Sequence, residues 1–307
     1  MNYFSKNALL IFSLAVSLSL VSCEKNTLLS PDPGTTVPRS NEPIPGTGLP
    51  TTMPAGGGIL NANPYVLDTY GHWKLSYDAD GKLVKLQSTA DPSLIREYVR
   101  ASNGSGMTIR DYVGGRLTTK TLIILDAKGR CKESFITNYQ IDNGKETTSS
   151  SRYSYFYNSK NQLEIIRDQD DYQHFESFSY VDGNLETIEF WNHARLGAFH
   201  YYYKKPTDPS WQPLIPDKNH MNMLYSSLYD EVDEFQPIYG KFHKSLPVRC
   251  EYETKVTYVI IDAIDYKYTF NSSGYITERE NTRHTLPESG YVGGAKTMTE
   301  TFAFGYK

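Results

Sequence analysis

From Tyr70 onward, apolar and polar positions alternate with a period of two. Tyr266-Lys267-Tyr268-Thr269-Phe270 and Phe302-Ala303-Phe304-Gly305-Tyr306 show it most clearly. Aromatic and β-branched residues at this period fit half-buried strands of an antiparallel sheet. A short unit recurs within the pattern. Its clearest copy is Leu75-Ser76-Tyr77-Asp78-Ala79-Asp80-Gly81-Lys82-Leu83, and further copies run Ile123–Cys131, Tyr155–Leu163 and Tyr268–Ile276. Shortened copies lie at Phe178–Leu185 and Tyr112–Leu117. Asp or Asn at the first turn position can bond the backbone two residues on, and Gly or Asn three residues later supplies the left-handed conformation. Each copy therefore predicts a β-hairpin with a bulge where the second strand returns.

One stretch breaks the alternation. Pro206, Pro209, Pro213 and Pro216 mark a loop, and Met221, Leu224, Leu228, Val232 and Phe235 follow at helical spacing, with Pro237 just beyond. The pattern predicts a helix over 218–235 inside an insertion of about residues 205–247, its apolar stripe covering one end or face of the sheet. The expected fold is mainly all-β: an antiparallel meander of hairpins forming a strongly curved sheet or partly closed barrel, with one helical insertion.

The hairpin units resemble the YD repeat of Rhs-type proteins, whose core reads Tyr-Asp-x-x-Gly-x-Leu. Tyr77-Asp78-Ala79-Asp80-Gly81-Lys82-Leu83 matches every fixed position, while Asn158 and Asn271 replace the Asp and Cys131 replaces the Leu. The spacing between units is too irregular for a large shell of regular repeats. A nearer resemblance is to a group of Bacteroidota lipoproteins of unknown function, built from YD-like hairpins around one insertion. It covers roughly residues 70–307 and is carried by the hairpins, by the stretch Asn222–Pro247 with its ending Tyr239-Gly240-Lys241-Phe242-His243-Lys244-Ser245-Leu246-Pro247, and by the lipobox-like Leu20-Val21-Ser22-Cys23. That resemblance implies a fold and a location but no activity.

The N-terminal residues give the location its own support. Residues 1–22 hold one charge, Lys6, then an apolar run from Ala8 to Leu20, the parts of a secretory signal peptide. Leu20-Val21-Ser22-Cys23 is similar to the lipobox of bacterial lipoproteins, which implies that the Cys23 thiol is lipidated and becomes the new N-terminus. Residues 23–64 carry Pro31, Pro33, Pro38, Pro43, Pro45, Pro50, Pro54 and Pro64 with Gly56-Gly57-Gly58 and few large apolar residues. Such a stretch cannot bury enough surface to offset its ordering entropy and reads as a disordered tether. A β-rich domain over 65–307 completes the organisation. The expected location is the cell envelope, lipid-anchored at the outer membrane, with the periplasmic or surface face open.

Formal net charge is −4 for the whole chain, and no basic footprint for nucleic acid is present. The expected partners are the membrane, through the lipid, and an envelope protein or glycan. An exported compartment permits a disulfide between Cys131 and Cys250, whereas Cys131 at a position that elsewhere holds Leu favours a buried thiol.

Catalytic signatures are absent: there is no Gly-x-Ser-x-Gly, no His-Glu-x-x-His, no phosphate loop and no Cys-x-x-Cys. A non-catalytic binding or accessory module without a cofactor is expected, with a structural partner of an outer-membrane complex as the first alternative and a hydrolase as the third reading. Asp168, Asp170 and Asp171 offer a weak calcium candidate, but the glycine and terminal Glu of an EF-hand-type loop are missing, so a solvated turn is the plainer reading. Trp191, Tyr201, Tyr203 and Trp211 are the candidate ligand-binding residues, because flat aromatic faces suit sugars and extended peptides. Tyr201 and Tyr203 share one strand face and Tyr202 takes the other, so part of this set is expected in the core.

Overall fold

The computed structural model describes residues 66–142, 144–203, 217–218, 231–254, 259–285 and 296–307. The signal peptide, Cys23, the tether and Trp211 lie outside the described residues. Sixteen strands are seen among them: β1 (Leu67–Tyr70), β2 (Trp73–Tyr77), β3 (Leu83–Ser88), β4 (Leu94–Arg100), β5 (Gly106–Val113), β6 (Arg116–Leu125), β7 (Cys131–Asp142), β8 (Lys145–Tyr157), β9 (Leu163–Asp168), β10 (His174–Val181), β11 (Asn184–Asn192), β12 (Ala194–Tyr202), β13 (Arg249–Thr254), β14 (Val259–Phe270), β15 (Ile276–Thr285) and β16 (Lys296–Tyr306). Each strand pairs antiparallel with its neighbours in sequence, and β1 pairs with β16 to close a barrel.

The predicted hairpins form, and their chemistry is local. Asp78 Oδ1 accepts from Asp80 N and Lys82 N at 3.0 and 2.8 Å. Asp126, Asn158 and Asn271 do the same two and four residues on. Gly81, Gly129, Asn161 and Gly274 supply the positive φ, at 74°, 77°, 62° and 79°. The register shifts fall where the second strand returns, beside Tyr77, Leu125, Tyr157 and Phe270. Because these turns all join an even strand to the following odd one, they share one end of the barrel.

A row of inward side chains explains the recurrent tyrosine. Tyr77 OH donates to Leu67 O at 2.6 Å, Tyr157 OH to Cys131 O at 2.8 Å, Tyr203 OH to Leu185 O at 2.7 Å and Tyr306 OH to Ile276 O at 2.7 Å. In each case a residue at the end of an even strand reaches the start of the preceding odd strand. Tyr268 OH donates to Pro247 O in the same manner, and Arg100 Nη1 to Leu83 O in place of a tyrosine. The aromatic ring packs against the interior while its hydroxyl satisfies a part-buried carbonyl.

Residues 231–247 fill the barrel at this end. Val232, Phe235, Ile238, Tyr239, Phe242 and Leu246 are buried and belong to one core with inward Leu75, Leu86, Ile123, Leu163, Ile166 and Ile188. Phe242 O accepts from Leu185 N, Ser245 N donates to Asn184 Oδ1, and Glu231 O accepts from Tyr155 OH. Asp233 is the polar anchor: its Oδ2 takes Tyr98 OH at 2.9 Å and Arg96 Nη1 at 3.2 Å, and its Oδ1 takes Phe235 N at 2.8 Å. Arg96 is also held by Asp111 on the neighbouring strand.

The expected helix over 218–235 falls largely outside the described residues, and its described C-terminal end is not helical. Residues 231–235 form bends and a turn, and the described part of the insertion has one helical turn only, of 3-10 type, at Pro237–Tyr239. The turn made by Asp233 capping Phe235 N and the extended Gln236 before Pro237 stop a longer helix. Met221, Leu224 and Leu228 lie outside the described residues. Val232 and Phe235 do cover the sheet, on its inner face.

Cys131 and Cys250 are buried free thiols on β7 and β13. Burial pushes both thiols well above their usual range, so neither is a ready nucleophile.

Candidate interaction surface

Strand alternation decides which side chains face out. One outward row reads Ser76, Lys85, Glu97, Arg110, Lys120, Thr137 and Ser150 across β2 to β8. Another reads Tyr202, Arg249, Asp265, Thr282 and Thr299 across β12 to β16. Arg249 bonds both Glu251 and Asp265, and Arg195 bonds both Glu189 and Glu253. Burial, with Glu251 as hydrogen-bond partner, pushes the Tyr202 hydroxyl up to about 12. These rows carry charged side chains, with Arg249 and Asp265 paired, whereas a lipid-facing wall needs an apolar band about 25 Å tall.

The predicted aromatic set is divided by this wall. Tyr201 is buried inside, against His243. Tyr203 is inside as well, held by Leu185 O and His243. Trp191 stands outside and half-buried. It stacks on Phe175 with ring centres 5.4 Å apart and planes 7° from parallel. Arg167 lies 5.9 Å from the Phe175 ring and 5.5 Å from that of Phe156, which is 44% exposed. The result is an outward strip, Phe156, Arg167, Phe175 and Trp191, running across β8 to β11. Arg167 Nε and Trp191 Nε1 have no acceptor among the described residues. Three of the four members were not anticipated from sequence. The available signal was parity: Phe156 falls between Tyr155 and Tyr157, so it must face the other way.

The acidic candidates serve the turn beside this strip. Asp168 Oδ1 accepts from Asp170 N and Asp171 N, and Asp171 Oδ1 accepts from Gln173 N. Asp168 and Asp171 also sit near His174 and His193, at 3.5 and 3.4 Å. Deeper inside, burial and then the facing carboxylate of Glu231 raise the Glu176 carboxyl well above its ordinary range.

His243 is the clearest titratable group of the filling segment. Since the Tyr203 hydroxyl donates to Leu185 O, it accepts from the Nδ1–H of a neutral His243, 2.6 Å away. Burial, and then Lys241, push its pKa down to about 3. The unfolded chain takes up this proton near pH 6.5, and the folded chain refuses it until about 3. Stability is therefore expected to fall as pH drops through that window. His243→Asn should flatten this slope in urea melts at pH 4, 5 and 6.5; an unchanged slope would show that His243 is not held neutral.

The fold and surface define a closed, antiparallel, up-and-down barrel filled by its own chain. No family model matches the sequence, and no curated protein matches it. Among solved structures, a porin-like protein from Bacteroides uniformis is similar at 16% identity, covering 76% of this chain and 89% of that one, with a TM-score of 0.48. A porin-like protein from Bacteroides vulgatus is similar at 17% identity, covering 80% and 98%, with a TM-score of 0.49. Neither transfers a function to this chain.

Proposed function

We propose that this is a lipid-anchored cell-envelope protein, tethered at the outer membrane through Cys23, whose barrel stands in water as a non-catalytic binding module. The observation that supports it is the distribution of side chains across one wall. The inside is filled with the chain's own aromatic residues, the outside mixes charged and apolar side chains, and Phe156, Arg167, Phe175 and Trp191 form an outward aromatic strip among the described residues. Flat, partly exposed rings suit an extended ligand such as a glycan or peptide. Binding of envelope polysaccharide by the purified chain is expected to fall at least tenfold in Phe156→Ala/Trp191→Ala, with circular dichroism unchanged. Equal binding would remove the strip from the account.

A second reading, as a structural partner in an outer-membrane complex, has its own support. The outer wall of β4 to β6 carries a groove of about 400 Å³ with Val99 and Leu122 exposed at 45% and 44%. Val99→Ser/Leu122→Ser separates the two readings, because it touches the groove and leaves the strip intact.

A further inference from the structure

The turns that join even strands to odd ones share one end of the barrel, and the chain enters at that end: Val66 N donates to Lys307 O, just past β16. Five exposed lysines form an arc around this mouth. Lys128 stands on the β6–β7 turn and Lys160 on the β8–β9 turn. Lys241 and Lys244 belong to the filling segment where it crosses the mouth, and Lys218 reaches the β14–β15 turn. Lys128 Nζ donates to Asn161 Oδ1 at 3.0 Å, Lys241 Nζ to Asp217 O at 3.1 Å and Lys218 Nζ to Ser273 O at 2.8 Å. The Lys244 stem packs beside Gly183 of the β10–β11 turn.

Every one of those acceptors is neutral. None of the five ammonium groups has a carboxylate within 4.0 Å among the described residues. Lysines elsewhere on the barrel do: Lys74 pairs with Asp68, Lys82 with Asp80 and Lys132 with Glu133. Within the arc, Asp126 is already cancelled by Arg130. The opposite end has the other sign, with Asp91 on the β3–β4 turn and Asp168, Asp170 and Asp171 crowding the β9–β10 turn.

We propose that the lysine arc docks on the anionic headgroups of the membrane that holds the chain, so that the barrel stands mouth down; this takes the Cys23 anchor proposed above as given. Clustered lysines are drawn to an anionic lipid surface, over a range of about 8 Å at physiological ionic strength. The formal net charge of the whole chain is −4, so the arc is a local excess. It orients a barrel already held at the surface and does not bring a free barrel there. The tether supplies the effective concentration at which so weak a contact counts.

The test reads two labelled positions on the processed, acylated chain in vesicles. Ser159→Cys lies at the mouth and Tyr172→Cys at the opposite end, and each carries an uncharged fluorophore. Both replace exposed neutral side chains, and the buried Cys131 and Cys250 do not compete. The vesicles are phosphatidylcholine with a headgroup quencher, with or without about one-third phosphatidylglycerol. With phosphatidylglycerol, quenching at 159 is expected to exceed that at 172 by about fivefold or more. The ratio should fall below about twofold without it, in Lys128→Glu/Lys244→Glu, and in salt near 1 M, where the Debye length is about 3 Å. A parallel arm holds the Cys23→Ser chain by an N-terminal polyhistidine tag on a nickel-chelating lipid, so the orientation is read whether or not Cys23 is acylated. If the chain leaves the vesicles only in the first arm, the anchor fails while the second arm still decides the docking face. A ratio near one with phosphatidylglycerol, or a ratio indifferent to lipid charge, salt and the lysine substitutions, would overturn the proposal.

Discussion

Phe242→Ala is expected to destabilise the barrel by about 3–5 kcal/mol, the usual range for removing a fully buried aromatic ring. Phe242 is 1% exposed and stacks near Phe178 inside the barrel, and its carbonyl takes the Leu185 N–H. It belongs to a segment that no strand ladder holds, so its ring and its few hydrogen bonds keep the interior filled. For a domain of this size each kcal/mol corresponds to about 2–4 °C, which puts the melting temperature lower by about 10 °C. Phe156→Ala is the matched control. It deletes the same ring from the outer wall and is expected to cost under about 1 kcal/mol. If both variants melt together, residues 231–247 are not the core of the barrel.

The second large effect concerns location. Cys23→Ser is expected to abolish labelling by a fatty-acid analogue and to move the chain from the membrane fraction to the soluble fraction. A single apolar tail supplies only modest membrane affinity, and stable anchoring needs two signals. Lipoprotein-type acylation would supply more than one chain on Cys23. The outer wall of the described barrel mixes exposed apolar side chains such as Val99, Val113 and Leu122 with charged ones. Its outward rows put Lys85, Arg110, Lys120, Arg249 and Asp265 where hydrocarbon would have to lie, and a single Lys or Arg on a lipid face costs about 2–4 kcal/mol at the bilayer midplane.

The hairpins were legible because their causes are local. Asp78 with Gly81, and Asn158 with Asn161, carry all the information their turns need. The tyrosine-to-carbonyl bonds were not, since they join strands by a rule that the repeat conceals. Closure was illegible for a different reason: Leu67 pairs with Tyr306, at opposite ends of the sequence, and neither residue advertises the other. The filling segment shows a pattern with two readings. Val232 and Phe235 are three apart, as on a helix, yet a turn bounded by Asp233 and Pro237 also brings both onto one apolar surface. Of the aromatic candidates, alternation correctly separated Tyr202 from Tyr201 and Tyr203. It could not say that Trp191 would stand on the other side of the wall from Tyr201, because that depends on the bulge between β11 and β12 at Trp191.

Flotation of purified Cys23→Ser protein with liposomes in a density gradient bears most directly on the self-filled, water-facing barrel. The protein should stay at the bottom of the gradient, retain its β circular dichroism without detergent and add no conductance to planar bilayers. Co-flotation with the vesicles, together with ion conductance, would contradict the account.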